Sequence, residues 1–235
     1  MHQKQFKANR KKDKQKKGKT SEVATSILGA NFGGVLVTDR YAAYNSTNPA
    51  ERQTCLAHII RRAKEIAKEL SLLNNNYRDV KAESFCARIA KLFSSACKIG
   101  QKLSSGLITL KETRSIEKKF LKKLKTYCAH TLNFSAAETL RSKLIGKEID
   151  QLFTFLRHPD VPPTNNQAEQ SLRNIVIFRK IIFGTRSASG LKTHSILPSL
   201  VLTARRQGHH PREFLQTLLT SDAPTAQAAL FNNSS

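Results

Sequence analysis

The alternation of apolar and polar positions divides the chain into a short extended stretch, a long helical stretch and a mixed C-terminal stretch. Residues 21–28 have the spacing of a short helix. Gly33-Gly34 then break the chain before VLVTD (35–39), a β-branched run that predicts a buried strand ending on Asp39. From about 50 to 157 the period is helical. Leu56, Ile59, Ile60, Ala63, Ile66, Ala67 and Leu70 form one stripe, and Phe85, Ile89, Leu92, Phe93, Ala96, Ile99 and Leu103 form another. Shorter stripes run through Ile116, Phe120, Leu121 and Leu124, and through Ile149, Leu152, Phe153 and Leu156. HPDVPPTN (158–165) is rich enough in proline to stop a helix and set up the next. NNQAEQSLR predicts a helix opened by an asparagine cap, IVIFRKIIFGT an extended and partly buried segment, and GLKTHSILPSLVLTARRQG a long helix interrupted near Pro198. After about residue 221 the chain is small, polar and expected to be loose. It contains no internal repeat.

Composition adds a partner to this picture. A chain of 235 residues with 39% hydrophobic content can bury the core of one good-sized domain, or of one domain with a large insertion. Lys+Arg 40 against Asp+Glu 17 gives a formal charge of +23, more than solubility needs, and favours a polyanion such as nucleic acid. The first twenty residues carry Lys4, Lys7, Arg10, Lys11, Lys12, Lys14, Lys16, Lys17 and Lys19 against Asp13, and are expected to be disordered in isolation. Two readings of them stand side by side: a nonspecific phosphate grip, and a solvated tail left by a displaced start. Lysine-rich runs such as KKFLKKLK read as solvated helix faces whose summed field attracts DNA. No apolar run approaches the roughly 20 residues that cross a bilayer, and no signal-peptide core follows the basic start, so a cytoplasmic location is expected. Cys55, Cys86, Cys97 and Cys128 form no CxxC pairs, which suits reduced thiols better than disulfides or a structural zinc site.

The candidate chemistry lies in two carboxylates. Breaking and rejoining phosphodiesters without a covalent enzyme intermediate calls for two divalent ions about 3.5 to 4 Å apart. Mg²⁺ is held by carboxylates. Asp39, at the end of VLVTD, and Glu169, in the first turn after Thr164-Asn165-Asn166, occupy the strand end and helix start from which such ligands converge. By position alone, carboxylates in these places are more often turn formers or helix-dipole partners than metal ligands.

The surrounding motifs sharpen this. GVLVTDRYAAYN, CLAHIIRRAKEI, PPTNNQAEQSLRNIVIFRKIIFGTRSASG and TARRQGHHPREFL, in that order, resemble the insertion-sequence-66 family of transposases from about residue 20 to 219. The resemblance implies an α/β fold: a partial RNase H-like catalytic core with a large all-helical insertion, mainly helical by residue count. In this scheme 1–20 is a basic tail, 21–49 part of the core, 50–157 the insertion, 158–220 the C-terminal part of the core, and 221–235 a flexible tail. Asp39 and Glu169 become the second and third members of an acidic triad that binds Mg²⁺ or Mn²⁺. Cys55-Leu56-Ala57-His58 matches a Cys-x-x-His signature whose histidine helps place DNA; packing remains the alternative role for His58 and the simpler one for Cys55. Arg61, Arg62, Arg173, Arg179, Lys180 and Arg186 are candidate phosphate contacts, with solvated surface as the alternative. Gln170 stands where the family usually has arginine, which removes one such contact.

The triad's first aspartate has no counterpart. Upstream of Asp39 the carboxylates are Asp13, inside the lysine run, and Glu22, in a helical pattern. The sequence therefore predicts a truncated protein, inactive alone, with DNA as its partner; the resemblance further implies a homodimer that joins two ends. A noncatalytic DNA-binding remnant and an unrelated basic RNA-binding helical protein are the competing readings.

Overall fold

The β-branched run forms a strand as expected, although its residues are half-buried or exposed where a buried strand was expected. In the computed structural model, which describes residues 21–29, 31–74, 78–181, 183–184 and 187–231, β1 spans Asn31–Thr38 and ends one residue before Asp39. The basic segment 1–20 and Arg186 lie outside the described residues. The chain divides into two units, 1–167 and 168–235.

The first unit opens with helix α1 (21–28), β1, a 3-10 turn at Ala42–Ser46 and strand β2 (Asn48–Thr54). β1 and β2 pair in parallel, from Asn31 opposite Asn48 to Thr38 opposite Thr54. Parallel neighbours usually need a crossover of about a dozen residues or more; here residues 39–47 carry the chain back. Periodicity gave no strand for NPAERQT, because its inward residues are polar. Gln53 and Thr54 are buried yet bonded: the Gln53 amide donates to Leu152 O at 3.2 Å and accepts from Phe155 N–H at 3.0 Å.

Helices α2 (Leu56–Ser71), α3 (Val80–Ser104), α4 (Leu110–Tyr127) and α5 (Ser135–Ile145) follow. Their ends are specified locally. Asp79 caps α3 by accepting from Ala82 N–H at 2.9 Å and also holds Phe134 N–H at 3.2 Å. Thr109 and Glu112 make a reciprocal capping box on α4. Gly106, at φ 73°, ends the turn after α3 in the left-handed conformation that costs glycine least. The predicted stripes of α2 and α3 face one core with Phe120, Leu124, Leu140 and Leu144. The last predicted stripe, around Leu152–Leu156, is buried as expected, but on 3-10 turns at Ile149–Gln151 and Thr154–Leu156. There Phe153 stacks on Phe93 and on Phe120, each 5.7 Å away between ring centres. Gly100 lets Phe155 approach α3: a Cβ there would meet the ring at 2.8 Å.

The second unit holds nearly all of α6 (Asn166–Ile181), then α7 (Ala188–Arg206), α8 (Pro211–Thr220) and α9 (Ala223–Phe231). Three expectations are corrected, the first being the loose tail after about residue 221, which instead forms α9 with Ala226 buried. IVIFRK continues the helix of α6 through Ile181 instead of forming an extended segment, and α6 buries none of its residues. A short apolar run fits strand and helix alike, and continuation from the preceding turns decides it. Helix α7 likewise runs through Pro198, which removes one N–H donor without ending the helix. The fold is mainly helical, as expected, with a small parallel sheet whose second strand was not foreseen. Among the described residues no helix is long and apolar enough to cross a membrane.

Candidate functional site

Three segments of the first unit meet at the carboxyl ends of β1 and β2, where parallel sheets generally offer ligand sites. Cys55, directly after β2, donates its N–H to Thr38 O at 2.7 Å, extending the ladder to the last residue before Asp39. Leu56 N–H, opening α2, donates to Pro163 O at 3.0 Å. Asn165 N–H donates to Cys55 Sγ at 3.3 Å. The loop that leads into α6 is thereby fastened beside the end of β1.

Asp39 is exposed there, with Oδ1 accepting from Tyr41 N–H at 3.1 Å in a local turn. Arg40 then adopts φ 71°, a left-handed conformation unusual for a residue with a Cβ. Its guanidinium packs 2.7 Å from Glu148. Burial pushes the Arg40 pKa down while Glu148 holds it up. Sequence reasoning passed over both residues of this pair; the only signal was a charge directly after the strand.

His58 lies one turn along α2, half-buried, with Nδ1 3.3 Å from Cys55 Sγ. Cys55 itself is fully buried at the N-cap of α2. Arg61 is exposed and, with Lys64, Cys97, Pro163 and Thr164, lines a cleft of about 500 Å³. Arg62 is exposed but sits 3.4 Å from both Glu65 and Glu69, which offset its charge. Burial pushes the thiols of Cys86, Cys97 and Cys128 up to about 11, so they are poor nucleophiles near neutral pH.

In the second unit Glu169 is exposed in the first turn of α6, and Arg173 is exposed one turn later. Arg179 and Lys180 occupy the last turn of α6, where positive charge suits the helix dipole. Gly184 N–H closes back on Arg179 O at 2.9 Å. Among the described residues no group of three or more His, Cys, Asp or Glu side chains stands together to hold a metal ion.

No solved structure matches the chain. An uncharacterised protein of Sinorhizobium fredii, y4jD, is 23% identical over 211 residues, a stretch that covers 81% of this chain and 38% of that protein. The chain thus spans well under half the length of this curated relative. The sequence model described as "Transposase IS66 family" matches residues 14–193, a span that includes β1, the Cys55–His58 helix and Glu169. By that match over most of its length, the chain belongs to the IS66 family of transposases.

Proposed function

We propose that this chain is the DNA-acting portion of a bacterial transposase, built on part of an RNase H-like core, with Asp39 and Glu169 as two members of the acidic triad. The observation that carries the reading is the exposed Asp39 directly after a parallel strand whose last residue, Thr38, accepts from Cys55 N–H, inside a family match that also takes in His58 and Glu169. Both side chains offer the hard oxygen donors that Mg²⁺ or Mn²⁺ prefers. With no group of three potential ligands among the described residues, these carboxylates do not by themselves complete a two-ion centre. Asp13, inside a lysine run, and Glu22, in a helical pattern, are the carboxylates that precede Asp39 in the given sequence, and neither follows an apolar strand as the remaining acidic ligand would. DNA is the partner, with Arg61, Arg173, Arg179, Lys180 and Arg186 as phosphate contacts and His58 placing the strand; Arg62 contributes less because Glu65 and Glu69 already face it. A homodimer is the assembly that joining two ends requires.

The absence of a three-ligand group among the described residues favours one second reading, a DNA-binding chain without catalysis. The purified chain should shift DNA in a gel, with affinity falling steeply as salt rises. Alone it should yield no joined transposon ends in Mg²⁺; a joined product would overturn the incomplete-site reading. Adding a polypeptide that carries the first acidic residue separates the two: joining that Asp39→Asn or Glu169→Gln abolishes supports the catalytic reading, and no joining supports the DNA-binding one.

A further inference from the structure

We infer that the Cys55 thiol is a positioning group that fixes the tautomer of His58, so that neutral His58 carries its proton on Nε2. This rests on the reading of the site above only for its consequence in DNA placement.

Cys55 Sγ takes part in two hydrogen bonds, one with Asn165 N at 3.3 Å and one with His58 Nδ1 at 3.3 Å. A backbone N–H can only donate, so toward Asn165 the sulfur is the acceptor. The one thiol proton is then available for His58, whose Nδ1 receives it as an unprotonated ring nitrogen. The nearby side-chain oxygen Asn165 Oδ1 is shielded from solvent and has no hydrogen-bond partner, so it does not take the thiol proton. Sulfur, fully buried, has no water to turn to instead.

A neutral imidazole with a bare Nδ1 holds its hydrogen on Nε2. That nitrogen presents a donor, the polarity a phosphate oxygen accepts from. The opposite tautomer would present an acceptor and repel it. The same thiol also carries the loop into α6, so one side chain links the orientation of His58 to the position of that loop. This gives Cys55 a role beyond filling space, which any small apolar residue could serve.

Nitrogen-15 spectra of the full chain labelled at histidine, at a pH of about 8 where imidazoles are neutral, read the tautomer without DNA, metal or activity. The expected result is a protonated Nε2 and an unprotonated Nδ1 at His58. Cys55→Ser, which keeps one donor and one acceptor, should preserve it. Cys55→Ala should lower the ratio of the two tautomers about fivefold, the scale of one neutral hydrogen bond, and move Nδ1 toward the resonance of a nitrogen that accepts no bond. A protonated Nδ1 in the unsubstituted chain, or a ratio unchanged in Cys55→Ala, would overturn the inference. If Cys55→Ala does not fold, the unsubstituted chain still decides through the position of its proton. Failure here leaves the transposase reading intact, because none of these measurements involves strand joining.

Discussion

The two units spend similar side chains to different effect. In the first, Phe93, Phe153, Phe155, Ile66, Leu70 and Leu124 are all within 1% of fully buried, around a core to which α2, α3, α4 and α5 contribute. In the second, Leu172, Ile181, Leu191 and Phe183 are 57%, 67%, 63% and 93% exposed, and the buried cluster consists of Ala204 and Phe214, with Leu200 and Leu218 against it. Helical periodicity marks where an apolar face lies; burial depends on whether another element covers it. The first unit therefore has its own source of stability, and α6 to α9 draw little from their own packing.

The largest test of this contrast is Phe153→Ala, which removes a ring stacked between two others. It should cost about 3–5 kcal/mol in urea unfolding. Phe178→Ala, at a ring 48% exposed on α6, should cost under about 1 kcal/mol. Equal costs would mean that the exposed face of α6 is covered in solution and would break the comparison.

The next effect concerns polar groups. Among the described residues the buried polar side chains, Thr47, Gln53, Thr54, Thr113 and Thr154, all belong to the first unit. Gln53→Leu keeps an apolar filling but strands Phe155 N–H and the Leu152 carbonyl, and should destabilise by about 2–3 kcal/mol. Loss of under about 0.5 kcal/mol would show that water replaces the amide, and that the strand is tied down by packing alone.

Much of this architecture was legible in the residues, and the exceptions share a cause. The stripes of α2 and α3 were readable because every third or fourth position is apolar and meets one core. The end of β1 just before Asp39 was readable because Val35-Leu36-Val37-Thr38 is apolar and rich in β-branched residues and follows a glycine pair. Strand β2 was not, because NPAERQT pairs through backbone and buries Thr54 and Gln53, the latter with side-chain bonds to residues about a hundred positions away. The helical course of IVIFRK was missed because an apolar run without a partner face has no period to read. Among the candidate residues, Asp39, His58 and Glu169 were singled out by motif resemblance, whereas the Arg40–Glu148 pair and the Asn165–Cys55 bond join segments far apart in sequence and have no local signature.

A smaller effect appears in acid. Arg141 and the Leu132 N–H hold the Glu138 carboxylate down to about 2, from the ordinary 4.5. Its folded-state pKa is depressed, so its contribution is complete above about 4.5 and disappears as pH falls toward 2. Glu138→Gln should therefore be less stable than the unsubstituted chain at neutral pH, with the gap closing across that window in thermal scans. A gap independent of pH would assign the loss to packing.

The smallest expected effect lies in the second unit. Arg206 on α7 donates to Ser171 Oγ on α6 at 2.8 Å, in an exposed position, and Phe178 lies 5.4 Å from the His194 ring. An exposed side-chain bond contributes little because water competes for both partners, so Arg206→Ala should change global stability by less than about 0.5 kcal/mol. Its effect should be local: faster amide exchange along α6 and α7, with the amides of α3 unchanged, because poorly buried helices open without global unfolding. Equal acceleration in α3 would mean that the two units unfold as one, and that the stability of the first extends to the second despite its exposed apolar faces.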